Sequence, residues 1–461
     1  MTQTTPSLRR VVGLSGLVLF GLAYMVPLAV FDTFGIVTTM TEGHLPAAYV
    51  VTTLAMLFTA YSYGQMSREI PRAGSAYAYS RSAFGGHVGF LTGWGLMLDY
   101  VLLPMLDALV IAIYLHASFP SIPAAVFIIA VLALSTALNI LGIKLLVKAN
   151  AALIGVQVVF LVCFLALSLK SLAAGEAPSL LAPLMSEDLD ASKVFAGSAI
   201  LCLAFLGFDA VSTLSEEARH PRKDVPRAIL LVTICGGVIF TGTAYLAAIV
   251  FPNWQDFQDP DAAAIQVMQH AGGAFLGAFF VAAYVAGSFA SAMTSQASVS
   301  RILYSMGRDN VLPQKAFGQL HRKYRTPVTG IVIVGAIGLT AIWIDLEQLS
   351  SMISFGALFA FSIVNLATIK HFLIDKGQRG MSTMIRHGAV PAIGFALTLW
   401  LWTSLSPTTF VIGLVWLTLG VAWLAYITKM FSRRPPEMDP YRQDELVTDE
   451  ADEEKTAVHV R

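Results

Sequence analysis

The sequence predicts an all-α polytopic membrane protein, and three observations carry that prediction. Of its 461 residues 56% are hydrophobic and 13% charged, against about 25% charged in an ordinary soluble domain. The apolar residues gather into runs of about 20 or more, the length a helix needs to cross a bilayer. The Lys and Arg residues fall almost entirely in alternate gaps between those runs, as expected when positive charge near span ends is retained in the cytoplasm.

Taken in order, the runs make twelve segments, near residues 11–40, 46–68, 88–118, 122–142, 149–170, 194–217, 227–251, 272–304, 327–344, 348–369, 387–405 and 407–430. The third and eighth are longer than a bilayer needs, so they should tilt or extend beyond it. An even count puts both termini on one side. With that side cytoplasmic, Arg68, Arg72, Lys144, Lys148, Arg219, Arg222, Arg308, Arg322 and Lys370 border inner loops, and only Lys170 and Lys193 of the 29 Lys and Arg lie outside. Residues 1–10 then form a cytoplasmic N-terminus. Arg9 and Arg10 precede a run that continues through Pro27 into further spans, so it reads as a first span rather than a removable signal. From about residue 431 to 461 the chain turns charged and loses large apolar residues, which predicts a disordered cytoplasmic tail.

Several function classes drop out at this level. Formal net charge is zero and no basic tract stands out, so nucleic acid is not an expected partner. Cys163, Cys202 and Cys235 sit inside apolar runs without metal-ligand spacing and read as small buried hydrophobes. No nucleophile–base pair or metal motif appears, so neither an enzyme nor a bound cofactor or metal is expected.

The sixth segment shows where the chemistry lies. It runs "ILCLAFLGFDAVSTLSEE" and places Gly207 and Asp209 where the middle of a span should be. A mid-membrane carboxylate costs roughly 2.5–3.5 kcal/mol on insertion scales, so it normally faces a partner or a water-filled route. The expectation is a helix broken at Gly207, with Asp209, Ser212, Thr213 and Glu216 forming one polar stripe. The first segment has a matching interruption. In "GLAYMVPLAVFDTFGIV", Pro27 removes a backbone donor and crowds the preceding turn, so the helix should open around Tyr24 to Pro27, shortly before Asp32. Interrupted spans 1 and 6 lie five helices apart. That spacing suits two inverted five-helix repeats, here 11–170 and 194–369, whose broken helices meet at the midplane and build a site; residues 387–430 would add two further spans. The third segment contributes Asp99, together with Tyr100, Asp107 and Tyr114, which share one helix face. For Asp99 and Asp107 a structural hydrogen bond to a neighbouring helix is an open alternative to a binding role.

Four stretches resemble the amino acid–polyamine–organocation transporter family: "EIPRAGSAYAYSRSAFG", "GFLTGWGLMLDY", "FLGFDAVSTLSEEARHPRKDVPRA" and "SRILYSMGRDNVLP". Within it, "VFDTFGIV", "GFDAVSTLSEE" and "ISFGALFAFSIVNL" are similar to members that import putrescine in bacteria, and the likeness runs from about residue 10 to 430. The resemblance implies a LeuT-like five-plus-five inverted repeat with two extra helices, secondary active transport across the bacterial inner membrane, and a central site between helices 1, 3, 6 and 8. It also implies proton coupling as a candidate driving force. Some proton-linked relatives carry a Lys in helix 5 that replaces a sodium ion; Gln157 occupies that place here, so a coupling proton would need a carboxylate such as Asp209 or Asp99.

The residues themselves favour a diamine over an amino acid within that family. Carriers of amino acids commonly present a Gly-Ser-Gly-like opening in helix 1 whose bare amides bind the substrate carboxylate; here the region reads Val26-Pro27-Leu28-Ala29-Val30. Asp32 and Asp209 would repel a carboxylate and attract ammonium groups. Asp209 is the first candidate for one ammonium, Asp32 or Asp99 for the other, with Asp107 behind them. Tyr24, Phe208 and Tyr100 would shelter the alkyl chain and add cation–π attraction of roughly 0.5–2 kcal/mol each. Glu216, Arg219 and Arg308 are candidate inner-gate residues, with helix termination and lipid contact as the alternatives. A carrier or exchanger of cationic amino acids, and a non-transporting membrane sensor, remain open. The sequence sets no oligomeric state.

Overall fold

A computed structural model describes residues 12–71, 75–141, 144–174, 180–187, 189–215, 218–308, 312–321, 324, 326–433 and 435. The expected N-terminus and nearly all of the tail lie outside them. Among the described residues every regular element is helical, and ten helices are long and apolar enough to cross a membrane, with two shorter apolar helices at Gly155–Lys170 and Val328–Ile342.

The elements follow the expected segments closely. The first segment is α1 (Leu14–Tyr24), a 3-10 turn at Ala29–Phe31 and α2 (Phe34–Met40). Next come α3 (Leu45–Glu69), a short α4 (Ser75–Phe84) that the segment count did not include, α5 (Gly86–Ser118), α6 (Ala124–Leu141) and α7 (Lys144–Ala174). The sixth segment is α8 (Ala191–Leu201), capped by the Asp190 carboxylate accepting from the Ser192 amide at 2.8 Å. It continues only as 3-10 turns at Cys202–Phe205 and Ala210–Leu214. Then follow α9 (Pro221–Val250), α10 (Ala263–Arg308), α11 (Gln314–Phe317), α12 (Val328–Gly338), α13 (Leu346–Ile369), α14 (Met381–Met384), α15 (Val390–Thr403) and α16 (Pro407–Ile427).

A break interrupts α10 near the start of the eighth segment. Gly272 (φ −148°, ψ 18°) and Gly273 (φ 70°, ψ −170°) leave helical geometry inside α10, so a separate short helix precedes the break, the span follows it close to the expected start, and the helix after the break, to Arg308, keeps the excess length. Glycine supplies the positive φ there without a Cβ clash.

Burial sorts the elements into centre and rim. In the sixth segment 89% of the most apolar window is buried, against 17% in α16. The outer face of α16 exposes Val411, Leu414, Val415 and Leu419, and α7 exposes Val158, Val159 and Val162. An exposed apolar surface of this kind suits a lipid solvent. The centre is formed by α5 against α10 and α13, α3 against α9, and α1 against α9. The start of the first segment is tied to the end of the sixth: Val12 pairs with Ala218, and the Arg219 amide donates to the Val12 carbonyl at 2.9 Å.

Candidate functional site

The two interruptions meet. Gly207 adopts φ +130°, and a Cβ placed on it would fall 3.0 Å from Tyr24 Cδ1 and Met25 Cγ and 3.1 Å from the Met25 amide nitrogen. Only glycine combines that φ with so close a backbone approach. On the other side Val26 takes φ +52° just before Pro27, a strained value for a β-branched residue. After Asp209 the backbone is 3-10 rather than the expected α-helix, so Ser212 at i+3 stays in line with Asp209 while Thr213 at i+4 leaves that line, and Glu216 lies outside the described residues. Ser212 and Thr213 turn their hydroxyls onto the Asp209 and Ala210 carbonyls, both at 2.6 Å, the local back-bonding typical of these side chains.

The opening in the first segment offers little to an anion. Pro27 has no amide hydrogen, while the amides of Met25, Val26 and Ala29 are spent on the carbonyls of Gly21, Ala23 and Val26 at 3.0, 3.4 and 2.9 Å. In the sixth segment the Leu206 and Phe208 amides go to Leu203 and Phe205 at 3.1 and 3.4 Å. The Gly207 amide donates to Asp209 Oδ1 at 3.3 Å.

Asp209 and Asp99 are each 4% exposed and lie within electrostatic reach of one another. The Asp209 carboxylate accepts long hydrogen bonds from Gly207 and from Ser75 Oγ on α4 at 3.4 Å, and the amides of Asp209 itself and Ala210 also lie against it. Phe208 is fully buried against Tyr63 and Phe361, with ring centroids 5.5 and 5.1 Å away. Tyr100 lies within reach of Asp209, Asp99 and Tyr24.

A second pair of acids lies nearby. Asp32 and Asp107 lie within electrostatic reach of each other, and Tyr24 is within reach of Asp99, Asp209 and Asp107 together. Asp32 accepts a short hydrogen bond from Tyr284 on α10. The Tyr114 hydroxyl donates to the Phe31 carbonyl at 2.6 Å, and its ring packs on Tyr284 at 4.7 Å. Asp107 Oδ2 is buried without a hydrogen-bond partner among the described residues. The described ion pairs, Lys193–Glu42, Lys370–Asp375 and Lys376–Glu69, involve none of these four acids.

Beside Tyr24 lies a cavity of about 190 Å³ bordered by Phe20, Leu103, Gln157 and Ser291 among others. Gln157 presses on Gly287, where a Cβ would fall 1.6 Å from its Nε2, and its Oε1 has no partner among the described residues.

The structure therefore brings Asp209, Asp99, Tyr24, Tyr100, Phe208 and Gly207 together and sets Asp32 and Asp107 beside them. Glu216 lies outside the described residues, as does the side chain of Arg308 at the end of α10, and Arg219 is exposed. Sequence reasoning missed Tyr63, Ser75, Tyr79 and Tyr284. Only the "AGSAY" stretch carried a signal, and it reads equally as helix packing.

Comparisons with known proteins agree over nearly the whole chain. The amino acid permease family profile matches residues 16–431. The low-affinity putrescine importer PlaP of Escherichia coli K12 is 39% identical over 94% of this chain and 96% of its own. The branched-chain amino acid permease BcaP of Bacillus subtilis is 26% identical over 95% of this chain and 96% of its own. Cationic amino acid transporter 4 of Mus musculus is 27% identical over 78% of this chain and 60% of its own.

Proposed function

Since the chain belongs to the amino acid permease family, we propose that it imports putrescine or a closely related diamine across a bacterial inner membrane by alternating access. The observation that carries this reading is Asp209: a buried carboxylate at the meeting of two interrupted spans, with long hydrogen bonds and no described cationic partner. A buried carboxylate left so weakly compensated is costly, and an alkylammonium would supply the missing charge. The amides of Met25, Val26 and Ala29 at the first break and of Leu206, Gly207 and Phe208 at the second are already engaged, which disfavours a substrate carboxylate there. The identity to PlaP supports the same substrate class.

In this reading Asp209 with Asp99 holds one ammonium and Asp107, whose Oδ2 is unpartnered, holds the other. Asp32, already engaged by Tyr284, acts as a structural latch, a different role from the one its sequence position suggests. The spacing is compatible. A four-carbon diamine spans about 6 Å between nitrogens from bond lengths near 1.5 Å, and about 2.8 Å at each end for a charged hydrogen bond makes about 12 Å. Asp99 and Asp107 are separated by about 12 Å of rise along α5. Tyr24, within reach of Asp99, Asp209 and Asp107, would cover the alkyl chain.

Twelve spans, made of the ten long helices and the two shorter apolar ones, and a five-plus-five repeat with both termini cytoplasmic complete the proposed architecture. In that orientation the membrane potential favours entry by about 2.3 kcal/mol per charge per 100 mV, enough for a dication to be accumulated roughly a thousandfold. Any coupling proton would then be additional and would ride on one of the buried acids. The test is uptake of labelled putrescine into proteoliposomes, with imposed potential and pH gradient and with cadaverine, spermidine, ornithine and lysine as competitors. Potential-driven uptake that diamines inhibit best is expected. Inhibition by lysine and ornithine ahead of diamines would favour a cationic amino acid carrier, and binding without uptake would favour a sensor.

A further inference from the structure

The Asp209 corner holds two polar groups that nothing above uses. Tyr63 on α3 and Tyr79 on α4 are both completely buried, and neither phenol oxygen has a hydrogen-bond partner among the described residues. Both lie within electrostatic reach of Asp209. The Ser75 hydroxyl lies near Tyr63, and those of Ser212 and Ser67 near Tyr79; because Ser75 Oγ donates to Asp209, Ser212 Oγ to the Asp209 carbonyl and Ser67 Oγ to the Gly64 carbonyl, they can only accept from the phenols, which leaves the phenol oxygens free as acceptors. A buried hydroxyl without a partner is rare and costly. Two such groups beside one weakly compensated carboxylate point to a shared ligand.

Their positions are fixed by packing. Tyr63 meets Tyr79, Phe208 and Phe361 edge-on, with centroids at 5.7, 5.5 and 5.8 Å. Rings held on three sides present their hydroxyls at set points, so little ordering is needed when a ligand arrives.

We propose that Tyr63 and Tyr79 complete the Asp209 ammonium subsite and make it selective for a primary ammonium group. The assignment rests on the diamine reading above. A primary alkylammonium carries three N–H donors and no acceptor. Asp209 takes one and the Tyr63 and Tyr79 oxygens take the other two, while Asp99 contributes its charge without a hydrogen bond. A fully N-methylated ammonium keeps the charge but has no N–H to offer, so it would leave both phenols unpartnered and would crowd the rings. Discrimination of this kind arises because a site built around hydrogen bonds rejects a ligand that lacks them.

The experiment measures inhibition of labelled putrescine uptake in proteoliposomes by unlabelled putrescine and by its fully N-methylated analogue. It compares wild type, Tyr63→Phe, Tyr79→Phe, the double variant and Asp209→Asn. Each Phe variant removes one oxygen that bonds to nothing in the described fold, so insertion and thermal stability should be kept. Wild type should prefer putrescine over the methylated analogue by about a hundredfold, and each Phe substitution should weaken putrescine about tenfold, as for a lost hydrogen bond to a charge. The double variant should show little preference, because putrescine falls while the analogue does not. Wild-type putrescine affinity and preference in both Phe variants would overturn the proposal, as would equal inhibition by the two compounds in wild type. If those results came with diamine uptake that Asp209→Asn abolishes, the tyrosine assignment alone would fail. Absence of diamine uptake in wild type would instead remove the reading beneath it.

Discussion

The first interrupted span opens at a proline, turns through Val26 at φ +52° and recovers α-helix at Phe34. The sixth leaves α-helix at Leu201, pivots on Gly207 at φ +130° and continues only as 3-10 turns to Leu214. Their carboxylates differ in the same direction. Asp32 is engaged by the Tyr284 hydroxyl, whereas the hydrogen bonds to Asp209 from Gly207 and Ser75 are long, 3.3 and 3.4 Å. An acid whose charge already has a strong donor gains less from a new cation than one whose donors are distant. In the proposed reading the pair divides labour: the first break supplies shape and a latch, the second supplies the binding charge.

That division can be broken or sharpened by substitution. The largest effect is expected for Asp209→Asn, where loss of a buried charge partner costs about 2–5 kcal/mol. Putrescine uptake should fall at least about thirtyfold with expression unchanged, while Asp32→Asn keeps putrescine affinity within about threefold; equal losses in transport assays would erase the distinction. Asp107→Asn should come next, weakening putrescine about tenfold while leaving inhibition by butylamine, which has one ammonium, unaltered. If butylamine weakens equally, Asp107 does not bind the second end.

Smaller effects separate the two breaks themselves. Gly207→Ala forces a Cβ into φ +130° within 3.0 Å of Tyr24, a strain of about 1–3 kcal/mol, and should lower the unfolding temperature of the purified protein. Pro27→Ala should lower it less, because its neighbour Val26 carries the unusual φ. Smallest on binding is Tyr284→Phe: it leaves Asp32 without its donor and should destabilise the fold by about 1–3 kcal/mol, with the putrescine Kd unchanged in equilibrium binding.

Much of this was legible in the sequence for physical reasons. Pro27 announces a break because it lacks a donor, and Gly207 beside Asp209 does so because hydrocarbon penalises both. The apolar runs are readable because lipid imposes a length. Contacts between distant segments were not readable. Tyr284 lies 252 residues from Asp32, and nothing in the local pattern of α3 or α4 tells a buried tyrosine that packs from one that aims its hydroxyl at an acid. The polar stripe failed at Thr213 because α-helical spacing was assumed across a segment whose backbone is 3-10. Asp32 looked equivalent to Asp209 because sequence shows the acid and hides its donor.

Equilibrium binding of labelled putrescine to purified wild type, Asp209→Asn and Asp32→Asn tests the division of labour most directly. Saturable binding by wild type and Asp32→Asn, and occupancy of no more than about a quarter in Asp209→Asn at tenfold the wild-type Kd, is the predicted result. Wild-type affinity in Asp209→Asn, with binding lost in Asp32→Asn, would contradict it.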